Sequence, residues 1–182
     1  MVQKNDTKEI IACAFKDLSS KKAIDKISIT DIMKQADYRR QTFYDYFDDK
    51  YDLITWIFSY ELSKLIQPEM GWEKWDDFLF LLLEYLEENK AYYKKIFLNI
   101  KLDSFKGYFI YCIKQTLIKL SDDYFEGEIL SKKKTQMVDT TIDFYSYGLA
   151  ETLYHWVLEN CEPTSKDYHE LLVEAVVRRM HI

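Results

Sequence analysis

Apolar residues return along this chain every three or four positions and almost nowhere every second one, which predicts helices from end to end. Ile10, Ile11, Ala14, Phe15 and Leu18 form one stripe, the signature of a first helix of about three turns. Ser28-Ile29-Thr30-Asp31 has the spacing of a capping box, with Asp in place of the usual Glu or Gln. A short second helix should therefore start near Ile29 and turn Ile29, Ile32, Met33 and Ala36 inward. After a turn of about three residues around Asp37-Tyr38, a third helix should run from Arg39 to Phe47.

Asp48 is the expected N-cap of a longer helix carrying Leu53, Ile54, Ile57, Phe58 and Leu65, which Pro68 and Gly71 should end. Trp75 to Leu86 is apolar on all sides and flanked by strong helix formers, so it reads as a fully buried helix. Tyr92 to Phe97 gives a short helix. Phe105, Phe109, Cys112, Ile113, Thr116, Leu117 and Leu120 give an amphipathic one, with Gly127 beyond it. The last pair of helices shows Val138, Thr141, Ile142, Tyr145, Gly148, Leu149, Thr152, Leu153 and Trp156. After Pro163 and the Thr164 to Asp167 box come Tyr168, Leu171, Leu172, Ala175 and Val176. The expected architecture is all-α. A three-helix helix-turn-helix head occupies residues 1–50, and an antiparallel helical bundle for effector binding and dimerisation occupies residues 51–182.

Composition supports helices: Gly (4) and Pro (2) are too few for a turn-rich β architecture. The net charge of −6 looks wrong for a nucleic-acid binder until it is divided along the chain. Ten of the 25 Lys/Arg and ten of the 31 Asp/Glu fall in residues 1–60, so all the net acid lies in the body. Cys13, Cys112 and Cys161 are widely spaced and read as free thiols packed like small apolar groups. His155, His169 and His181 lack metal-ligand spacing, and there is no GxSxG, phosphate loop or dinucleotide fingerprint. No metal, cofactor or catalytic residue is expected. The polar start, Met1 to Glu9, and the lack of roughly 18 consecutive apolar residues argue for a cytoplasmic, membrane-free protein.

The informative stretch is the third helix. Phe43 and Phe47, at i and i+4, can anchor it on the first two helices. The opposite arc then shows Gln41, Thr42, Tyr44 and Asp45, with Arg39 and Arg40 in the first turn. Buried aromatics behind and Arg, Gln and Thr in front suit major-groove reading, because Arg grips guanine and Gln adenine in bidentate fashion. Taken alone, such a face on a short helix is more often a solvated charged surface than a reading head.

The pattern resembles the TetR family signature, I-x-D-I-x-x-x-A-G-V-S-x-x-T-F/L-Y-x-x-F-x-x-K-x-x-L. It is met here by Ile29, Asp31, Ile32, Ala36, Thr42, Phe43, Tyr44, Phe47, Lys50 and Leu53. The resemblance implies double-stranded operator DNA as the partner. Phosphate contacts would come from Thr42, Tyr44, Tyr46 and Lys50, and base reading from Arg40, Gln41 and Thr42, with Arg39 beside them. Three positions depart from it: Asp37 stands for the usual turn glycine, Tyr38-Arg39 for Val-Ser, and Asp45 puts an acid on the groove face.

The stripes of the last two helices are too long for the rest of the body to cover. They predict a homodimer through Tyr145, Leu149, Leu153, Leu172 and Val176, with Gly148 letting two backbones approach. Arg39 to Phe47, Ile54 to Phe58 and Leu83 to Phe97 further resemble TetR-type regulators of dihydroxyacetone kinase operons. That resemblance implies a kinase-like co-regulator protein docking on the body. An aromatic-rich body could instead hold a small-molecule effector, as in TetR-type repressors, or the chain could be a helical adaptor for other proteins.

Overall fold

The computed structural model describes residues 4–66, 75–99, 103–124 and 131–176; Pro68, Gly71, Gly127 and His181 lie outside them. Among the described residues every regular element is helical. Helix α1 spans Lys4–Lys21, about five turns rather than three. It buries Thr7, Ile11, Ala14, Phe15 and Ser19 but leaves Ile10 exposed, because a helix turns one residue by about 100° away from its neighbour.

A 3-10 turn at Ile24–Lys26 leads to α2, Ile29–Gln35. The capping box forms with its Asp: the Ser28 hydroxyl accepts from the Asp31 N–H at 3.1 Å, and the Asp31 carboxylate accepts from the Ser28 N–H at 2.9 Å. That backbone N–H, then Lys22, then the Ser28 hydroxyl hold the Asp31 carboxyl down at about 2. The α2 C-terminus closes with Asp37 at φ 58, its N–H reaching the Lys34 carbonyl while Tyr38 N–H reaches Met33, a Schellman arrangement. Asp fills the position usually given to glycine because its short side chain tolerates the left-handed region better than most.

Helix α3 is Arg40–Tyr44 with Arg39 as its N-cap, shorter than the expected 39–47. The chain nevertheless keeps turning, with Tyr46 and Phe47 N–H groups both bonded to the Phe43 carbonyl. Phe43 and Phe47 thus still stack on one side, ring centroids 5.6 Å apart. Helix α4, Lys50–Leu65, is capped by Asp49 rather than Asp48: its carboxylate accepts from the N–H groups of Tyr51 at 2.7 Å and Asp52 at 2.9 Å.

Helix α5, Trp75–Glu88, turns Phe78, Leu79, Leu82, Leu83 and Leu86 into the core but leaves Phe80 and Leu81 half-buried. It is amphipathic, not buried all round. Helices α6 (Lys90–Phe97), α7 (Asp103–Tyr124) and α8 (Lys132–Leu158) follow, then α9 (Ser165–Val176), before which the Thr164 hydroxyl accepts from the Asp167 N–H at 3.4 Å, the first half of the expected box. Helix α8 pairs mainly with α7, and α9 mainly with α5. Phe58, Tyr93, Phe97, Phe105 and Phe109 interlock α4, α6 and α7 at the centre of the body.

Head and body share this framework. Lys16 of α1 pairs with Glu61 of α4 at 2.7 Å, and Lys95 of α6 donates to the Ser19 and Ser20 carbonyls at the end of α1. The expected boundary between residues 50 and 51 falls in the first turn of α4, which packs on α1 as well as on α5 and α7. Among the described residues no helix is long and apolar enough to cross a membrane.

Candidate nucleic-acid interface

The helix-turn-helix presents one outward face. Phe43, wholly buried, and Phe47 fix α3 from behind, while Arg39, Arg40, Gln41 and Tyr44 are exposed and Thr42 is half-buried. The Arg40 guanidinium donates to the Tyr44 hydroxyl at 3.1 Å and lies 5.9 Å from its ring. Tyr44 meets Phe43 edge-on at 5.7 Å, so the pair is seated on a fixed aromatic. Five predicted residues thus come together as a short, supported surface of donors, which major-groove edges can accept.

Two other predicted contacts behave differently. Tyr46 is half-buried and packs against the core. The Lys50 ammonium points into the head, donating to the carbonyls of Ile24 at 3.0 Å, Ile27 at 3.2 Å and Asp25 at 3.5 Å. In the folded chain Lys50 thus ties the start of α4 to the 3-10 turn, turned away from the side on which the phosphate contact was expected. Beside the reading face, Thr30, Met33, Lys34, Asp37, Tyr38, Arg39 and Arg40 line an open groove between α2 and the turn. Lys34 had given no signal in the sequence, since one lysine on a short helix is unremarkable until its neighbours are known.

The expected dimer residues divide as well. Leu153 is wholly buried in its own chain, facing inward with Ile142, Ser146, Ala150 and Val157, which corrects its assignment to a partner. Tyr145, Leu149 and Leu172 are half-buried, and Gly148 is exposed, with nothing within 4 Å of where a Cβ would stand. The Val176 side chain lies outside the described residues. The sequence reading missed Phe144, 73% exposed, and Met137, 63% exposed, on the outer face of α8, and Leu171 on α9 is also bare. On α8, Met137, Val138, Thr141, Phe144, Tyr145, Gly148, Leu149 and Thr152 share one uncharged side. Marking Ile142, Ser146, Ala150 and Leu153 as the inner face would have revealed it.

Among the described residues no group of three or more His, Cys, Asp or Glu could hold a metal. His169 meets Asp76 at 2.7 Å, and His155 meets Glu151 at 3.1 Å on a carboxylate that Lys106 also bridges at 2.7 Å. Cys13 is exposed, contrary to expectation, while Cys112 and Cys161 are buried and burial pushes each thiol up to about 11.

Residues 73–177 match the family described as the transcriptional regulator C-terminal region of TetR type. The HTH-type dhaKLM operon transcriptional activator DhaS of Lactococcus lactis subsp. lactis (strain IL1403) is 44% identical over 104 residues, 57% of this chain. The matched stretch covers 54% of that relative, about half its length. A solved structure, the dihydroxyacetone kinase operon activator DhaS, superposes with a TM-score of 0.74 at 29% identity over 95% of each chain.

Proposed function

Because this chain belongs to the TetR family of transcriptional regulators, we propose that it binds operator DNA as a homodimer and activates a dihydroxyacetone kinase operon. The observation that carries the DNA reading is the α3 face, where Arg40, Gln41, Thr42 and Tyr44 stand on buried Phe43 beside exposed Arg39. The operon and the direction of control are those in the names of the relatives. Such a regulator works in the cytoplasm, has no reaction of its own, and divides into a head of residues 1–50 and a body of 51–182.

Dimerisation uses the uncharged side of α8 around Phe144, Tyr145, Gly148 and Leu149, with Leu171 and Leu172 of α9 completing it. Two α3 helices then face a palindromic site, as helix-turn-helix dimers require. The signal comes from a kinase-like co-regulator that docks on the body. One observation favours a second reading with a small effector: the Tyr92 hydroxyl is buried with no hydrogen-bond partner among the described residues, and a hydroxylated molecule would supply one.

The test is retardation of a duplex from the intergenic DNA upstream of the operon. Arg40→Ala or Gln41→Ala should flatten base preference at one step of each half-site, since a bidentate contact is worth roughly 1–3 kcal/mol. Unchanged preference in both variants refutes the reading. Calorimetry with dihydroxyacetone alone and then with the co-regulator separates the two effector mechanisms, because saturable binding of the sugar by the isolated chain defeats the partner mechanism.

A further inference from the structure

A DNA-binding head needs cations free to meet phosphate, and the family position for one of them is spent internally. An ammonium has three donors, and three carbonyls surround that of Lys50, at Ile24, Asp25 and Ile27. Little capacity is left for a phosphate oxygen. The groove between α2 and the turn offers the opposite situation. Thr30 and Lys34 line it from one face of α2, while Asp37, Arg39 and Arg40 line it from the turn and the start of α3. Lys34, Arg39 and Arg40 are all exposed, Asp37 is the one acid among the lining residues, and Arg40 belongs to the reading face too. Arg40 leans on Tyr44, but among the described residues neither Lys34 nor Arg39 has an ion-pair partner.

We propose that Lys34, with Arg39 beside it, holds a DNA backbone phosphate in this groove, and that Lys50 serves the fold of the head instead. The ligand is a phosphodiester, recognised by charge and so without regard to base sequence. The inference rests on the DNA reading above. Its charge balance favours phosphate, since three cations against one carboxylate leave the groove positive whatever the net charge of the chain.

The experiment measures affinity of the full chain against salt concentration for two duplexes, the upstream intergenic DNA and an unrelated duplex of equal length. Lys34→Gln should weaken both by the same factor and lower the slope of log affinity on log salt by roughly 0.9 for each phosphate no longer neutralised, hence roughly 1.8 for a dimer. Lys34→Arg should restore the slope. Lys50→Gln should leave the slope alone and lower the melting temperature. A Lys34→Gln protein that melts like the wild type and keeps the full slope overturns the inference alone, as does a weakening confined to the operator. A slope reduced by Lys50→Gln at unchanged melting temperature overturns its second half. A wild-type chain that retards neither duplex removes the DNA reading itself.

Discussion

Replacing Glu61 by Gln tests whether head and body are joined by chemistry or merely by proximity. Glu61, on α4, accepts from Lys16 of α1 at 2.7 Å on one oxygen and from the Tyr85 hydroxyl of α5 on the other. Lys16 also donates to Asn89 at 3.0 Å and sits 5.3 Å from the Tyr92 ring centre, while Tyr85 meets Tyr93 of α6. Four helices thus converge on one carboxylate. The side chains of the pair keep 26% and 23% of their exposure, which sets the magnitude. A fully exposed pair contributes roughly 0.2–1 kcal/mol, and breaking a fully buried one costs roughly 3–5 kcal/mol. A quarter of full exposure puts the cost of breaking the pair at roughly 2–4 kcal/mol, and because Gln keeps one acceptor oxygen the lower end, about 2 kcal/mol, is expected.

For a chain of this length a kilocalorie moves the melting temperature by roughly 2–4 °C, so Glu61→Gln should lower it by about 4–8 °C. The assay is a cycle of thermal melts on wild type, Lys16→Met, Glu61→Gln and the double variant. An interaction of about 1–2 kcal/mol is expected, and one below roughly 0.3 kcal/mol, the level at which independent sites add, refutes the reasoning. Operator binding should suffer more than binding to unrelated DNA. Reading two half-sites depends on the spacing of two heads, and this pair helps fix each head on its body.

Leu153→Glu should unfold the chain, since it buries an unpaired charge at a wholly buried site. Phe144→Glu should melt like the wild type yet turn a dimer into a monomer by light scattering, and a variant that stays dimeric would move the interface off this side of α8. Asp37 at φ 58 separates two small substitutions. Asp37→Ala should destabilise by about 1 kcal/mol because it keeps the Cβ that crowds the left-handed region while losing the short polar group that makes that region tolerable, while Asp37→Gly, with no Cβ, should be near neutral or better and should raise DNA affinity by removing an acid from the groove. Equal melts for the two would contradict the backbone argument. At the alkaline end, burial pushes the Tyr85, Tyr92 and Tyr93 phenols above their usual range. They ionise near 10 once unfolded, so their contribution is whole below that pH and declines as pH rises above it. A urea midpoint that does not fall between about pH 9 and 11 would count against this.

What could be read from the sequence was what short stretches decide by themselves. The Ser28 to Asp31 capping box formed in full, the Thr164 hydroxyl took the Asp167 N–H, and Asp37 took the left-handed conformation its type allows, because each feature involves residues within a few positions of one another. The choice between Asp48 and Asp49 as cap was less accessible. Both carry the right group, and the buried Phe47 fixes which one meets the first free N–H groups of α4. Leu153 was misassigned because α8 has two apolar sides, and periodicity locates a stripe without saying whether the chain or a partner covers it. The internal partners of Lys50 were out of reach for a longer-range reason: these carbonyls lie 23 to 26 residues earlier, beyond any local pattern.

The same long-range pairing resolves how an acidic chain can present a basic face. Residues 1–60 hold as many acids as bases, but the acids are used where they stand. Asp31 serves the α2 box and Lys22, Asp49 caps α4, Asp52 accepts from the Asp48 N–H, Asp25 accepts from Asn99, and Glu9 meets Lys64. Lys16, Lys22 and Lys50 are likewise turned to internal partners. The remaining outward cations include Lys34, Arg39 and Arg40 around one groove, opposed locally by Asp37 and, at the far end of α3, by Asp45. Phosphate is drawn by the charge within roughly a Debye length, about 10 Å at 0.1 M salt, and not by the sum over the chain. The net charge of −6 therefore repels DNA from the body while leaving the α2 to α3 face attractive, which orients the approach as well as permitting it.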